Sequence, residues 1–81
     1  MAAKTLLDAL ALLEARDWQA AHAIAQESDA PLAPWAHGIV HIIEGDEPNA
    51  RYWYAQARRP FPGMPALDAE IAALKGALGD T

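Results

Sequence analysis

Three histidines, one glutamate and two arginines are the side chains of this 81-residue chain whose types and spacing suit chemistry. His37 and His41 are four residues apart and Glu44 is three further on, so on a helix all three share one face. Two imidazoles at that spacing can chelate one divalent metal, and His22, the only other histidine, is the candidate for a third ligand. The order is not the His-Glu-x-x-His of zinc proteases, because Gly38 follows His37 and the acid comes after the second histidine. The same groups can instead form a hydrogen-bond network inside a helix interface, with Glu44, Tyr52 or Tyr54 as partners. The sequence favours that network, which calls for no cofactor, with a divalent metal as the alternative. Arg51 and Arg58 make a second constellation: seven apart on one shoulder of a helix, with Tyr54 between them and Arg59 further round, they can hold a carboxylate or phosphate bidentately. The candidate ligand-binding residues are therefore His22, His37, His41, Glu44, Arg51, Tyr52 and Arg58, and the candidate metal ligands His22, His37, His41 and Glu44.

Other chemistries lack their residues. There is no cysteine, hence no disulfide, thiolate nucleophile or cysteine-type zinc site. Ser28 is the only serine and stands at an expected helix end without the strand-turn-helix elbow of hydrolases. Lys75-Gly76 has no preceding strand and makes no phosphate loop. General acid-base work by His41 and Glu44 is open to the pair, but the inventory assigns no reaction. Six basic against eleven acidic side chains give a net charge of −5, which repels a phosphate backbone, so no nucleic-acid partner is expected. No apolar run is long enough for a membrane span. Asp8 interrupts the apolar stretch near the start, which makes it an amphipathic helix rather than an export signal and gives a cytoplasmic expectation.

Positioning these groups falls to helices. Alanine supplies about a quarter of the chain, and the one β-branched cluster, Ile39 to Ile43, is bounded by helix signals. A first helix is expected over 3–15, with Leu6, Leu10 and Leu13 in line. A second follows over 18–27, capped by Asp17, and a third starts near Pro34 and ends at Glu44 before Gly45. A fourth begins after Asp46 and ends at Arg58 or Arg59, with Ala50, Trp53, Tyr54 and Ala57 inward. The proline-rich run 60–65 must be a stiff connector, with Phe61 tucked into the core, before a fifth helix over 65–78 stopped by Gly79. The expectation is one all-α domain over 1–81: two antiparallel helical hairpins and a C-terminal capping helix.

The opening of helix two echoes that of helix four 29 residues later, and Gly38, Ala50, Tyr54, Ala57 and Pro62 fall where tetratricopeptide units place glycine, alanines, aromatic and closing proline. The second hairpin resembles that family, which implies stacked helix pairs. The stretch from Trp35 to Tyr54 also resembles short, uncharacterised bacterial proteins with a W-x-H-x-x-x-H-x-x-E-G-D-x-x-N-A-R-Y-W-Y signature, a resemblance that marks residues without giving them an activity. The expected function is a helical-repeat module that binds a protein partner or itself, with a homodimer through helix five and its alanine-rich outer face. The alternative is a His/Arg pocket for a divalent metal or small anion, and the discriminator is whether His22, His37, His41, Glu44 and Arg51 converge.

Overall fold

A computed structural model of the chain, described for residues 5–79, contains five α-helices and, among those residues, no strand. They are α1 (Leu6–Glu14), α2 (Trp18–Glu27), α3 (Ala33–Glu44), α4 (Glu47–Gln56) and α5 (Leu67–Gly79), the last preceded by a 3-10 turn at Met64–Ala66. The all-α fold of two helical hairpins and a fifth helix is as expected. The boundaries differ in places. The expected start at Ala3 lies outside the described residues, and Thr5 is extended and caps α1 in a reciprocal box with Asp8. Helix four ends at Gln56 because Arg58 adopts a left-handed φ of 59° and the last carbonyls turn to the Arg58 and Arg59 amides. Gly79, expected as a stop, lies within α5.

Asp17 and Asp46 open α2 and α4 in the same way, each accepting from the backbone N–H three residues on, at 3.3 Å. α3 has no side-chain cap, but Pro34 occupies its first turn, where a missing N–H costs nothing. Its far end is closed by Gly45 at φ 86°. Every residue of α3 from Trp35 to Ile42 is buried, because α1, α2, α4 and α5 all pack against it. Its apolar side joins Leu6, Leu10 and Leu13 of α1 and Ile71 and Leu74 of α5 in one core. Gly38 is where α4 comes closest: a Cβ there would lie 2.6 Å from the ring of fully buried Tyr54. Helix α5 lies across both α1 and α3, and so bridges the two hairpins. Two of its charged residues reach α1 and the turn after it, Asp68 paired with Arg16 and Lys75 3.6 Å from Glu14. Glu70 is half-buried and accepts hydrogen bonds from the Tyr54 hydroxyl at 2.7 Å and the Trp35 indole at 3.1 Å. No described helix is long and apolar enough to cross a membrane.

Candidate functional site

Helix α3 presents His37 and His41 on the side away from the leucine core, and α2 brings His22 to meet them. The three rings form a tight triangle: His22 lies edge-on to His37 at 4.6 Å and to His41 at 5.5 Å, and His37 and His41 stack at 5.1 Å between centroids. One ring nitrogen from each histidine lies within 4.8 Å of the other two. His37 and His41 are buried, while His22 is half-exposed at the edge. From the opposite side α4 lays Trp53 flat on His37, with centroids 3.8 Å apart and planes 9° from parallel. Small Ala21 and Ala25 on α2 and Ala50 on α4, all buried, allow the three helices this approach.

Each histidine has a different electrostatic setting. The Nδ1 of His41 lies 2.7 Å from the Oε1 of Glu44, with the ring nitrogen donating and the carboxylate accepting. Neither His22 nor His37 makes a side-chain hydrogen bond among the described residues, so the network expected to satisfy the imidazoles reduces to one bond. Burial, then the proximity of His22 and His41, lowers the pKa of His37 to about 4, which leaves it neutral at pH 7. No fully enclosed polar side-chain atom among the described residues lacks a partner, so the unbonded nitrogens of His37 keep some contact with solvent. They do so beside a groove of about 340 Å³ lined by Ala25, Gln26, Ser28, Ala33, Pro34, His37 and Trp53.

The remaining candidates stand apart. Arg51 is exposed, bound to Glu47 at 2.8 Å and seated over Phe61 at 4.6 Å. Arg58 is exposed in the turn that ends α4, Arg59 stacks over Trp35 at 3.5 Å, and Tyr52 is exposed with its ring edge-on to Trp53. Tyr54, offered as a histidine partner, gives its hydroxyl to Glu70 instead, and burial together with that carboxylate pushes its pKa well above the usual tyrosine range. The structure thus gathers His22, His37 and His41, joins Glu44 to them through His41 alone rather than as a fourth member of the cluster, and leaves Arg51, Tyr52 and Arg58 on the outer surface of α4 and its end. Asp46 comes close enough to His41 and Glu44 to form a second acidic group. Both of its carboxylate oxygens, however, serve Asn49 at the start of α4, and those bonds lower its pKa.

The residue that sequence reasoning did not assign to the site is Trp53, placed with the inward stripe. Its signal was there: it lies three residues after Ala50, on the edge of the stripe that faces α3. No protein family, curated protein or solved structure matches the chain.

Proposed function

We propose that this chain binds a divalent transition metal, of the zinc, cobalt or nickel type, through His22, His37 and His41. The observation that carries the reading is the convergence of three imidazole nitrogens, from two helices, within 4.8 Å of one another. Around a tetrahedral ion with metal–nitrogen bonds of about 2.0–2.1 Å, such nitrogens lie about 3.4 Å apart, so binding would draw the three rings closer together. Two features support it further. Neutral His37 offers a lone pair at pH 7, where a protonated ring would repel a cation. Glu44 on the Nδ1 of His41 is the carboxylate-histidine pairing that orients metal ligands and raises their basicity. Imidazole donors suit zinc, copper and nickel, whereas magnesium and calcium require oxygen.

Calorimetric titration of the purified chain with Zn²⁺ or Ni²⁺ tests the proposal. One equivalent per chain is expected, with His41→Ala or His22→Ala reducing affinity at least 100-fold and Glu44→Gln about 10- to 100-fold. Substoichiometric binding, or affinity indifferent to these replacements in variants that keep their helical circular dichroism, overturns it.

A second reading, a protein-interaction module or homodimer with tetratricopeptide-like hairpins, is supported by a different feature. Ala69, Ala72, Ala73, Gly76 and Ala77 of α5 are all exposed, a weakly polar strip on the outside of the fold. Gly38 and Tyr54, two of the positions at tetratricopeptide spacing, meet where α4 comes closest to α3. A cytoplasmic setting belongs to the same reading.

A further inference from the structure

Resting on the metal reading, we propose that the trihistidine site keeps one exchangeable coordination position that takes the carboxylate of a small organic acid, whose remainder lies in the groove beside His37 and Trp53. The count of donors is the first argument. The histidine cluster holds three residues, and Glu44 and Asp46 come within the same reach of His41 but not of His22 and His37. A tetrahedral ion closed by protein has four ligands, and one held by three keeps a place for solvent or a bound molecule. Access is the second argument. His22 is half-exposed at one edge of the triangle, and His37 lines a groove that can hold a small molecule.

The chemistry of the groove selects the ligand. No cationic side chain among the described residues lines it, so an anionic group finds its counter-charge there on the metal, which with three neutral imidazoles carries two positive charges. Ala25, Ala33, Pro34 and Trp53 form an apolar wall for the rest of the molecule. Ser28 completes the set: its Oγ accepts from the Ala30 N–H at 3.2 Å, which leaves the hydroxyl hydrogen free to donate into the groove. Arginine, the usual partner of a carboxylate, is absent from this lining, since Arg51 is held by Glu47 on the far shoulder of α4. A phosphate, with more charge and no cation besides the metal, fits less well.

Cobalt substitution separates this inference from the one beneath it. The chain loaded with Co²⁺ is titrated with azide and then with benzoate, and the visible d–d spectrum followed. Both anions are expected to shift the bands of protein-bound cobalt. Benzoate is expected to bind about tenfold more tightly than acetate, which brings the metal the same carboxylate without a ring to lay on the apolar wall, and equal affinities would remove the groove. A cobalt spectrum that forms one-to-one but moves with neither anion means a closed site, which sinks the exchangeable position and leaves metal binding standing. A shift with azide alone removes the organic acid and its groove. Failure of Co²⁺ to bind at all removes the metal reading and this inference together.

Discussion

His37 carries the sharpest consequence of burial at a single residue. Its ring is pressed between Trp53 and His41, and its pKa lies near 4 against an ordinary value of 6.5. Between those values the unfolded chain binds a proton that the folded chain does not, so the histidine's effect on stability is absent above pH 6.5 and grows unfavourable as pH falls towards 4. From pH 7 to pH 5 the apo protein should lose about 1–2 kcal/mol through this residue alone. Urea unfolding of the parent and a His37→Asn variant at both pH values measures it: the parent should show the steeper loss. An identical slope in both would mean that the imidazole protonates freely in the fold. Bound metal opposes the same loss, because protons and metal compete for one lone pair, and at 100 times its dissociation constant it adds about 2.7 kcal/mol.

At the scale of helices, two backbone features make opposite predictions. Gly38→Ala would drive a methyl into the ring of Tyr54, which cannot withdraw because it is fully buried and tied to Glu70, so stability should fall by about 1–3 kcal/mol despite alanine's better helix propensity. Arg58→Gly should do the reverse. Arg58 sits at φ 59°, where a Cβ is strained, and glycine relieves it by about 0.5–1 kcal/mol, or a few degrees in thermal midpoint. Thermal unfolding followed by circular dichroism reads both, and an unchanged midpoint for Gly38→Ala would mean that α3 and α4 stand further apart. Much of this was legible in the sequence: Asp17, Asp46, Pro34 and Gly45 marked ends that the structure keeps, because caps act within four residues. Thr5 and Asp8 carry the same kind of signal at the start of α1. The shared face of His37, His41 and Glu44 followed from helical spacing. The arrival of His22 did not, since it depends on how closely α2 approaches α3, which no local rule sets. Glu70 was hidden for the same reason, as its partners Trp35 and Tyr54 are 35 and 16 residues away.

For the molecule as a whole, the exposed alanines of α5 bear on self-association. If this strip is the homodimer face, sedimentation at micromolar concentration should give twice the chain mass, and Ala73→Glu should return it to one chain by placing charge in a dry contact. A monomer in both cases would leave α5 with its intramolecular work only. That work has a further consequence. In an open solenoid each hairpin touches only its neighbours, so the stack can be lengthened by another unit and frays from its ends. Here α5 rests on α1 as well as α3, and Arg16 meets Asp68 across 52 residues of chain. The ends are thereby fastened to each other, the surface on which a next hairpin would stack beside α1 and α3 is already taken, and α1 cannot peel away without releasing α5. A chain fastened in this way is expected to melt in a single transition that takes the histidine triangle between α2 and α3 with it.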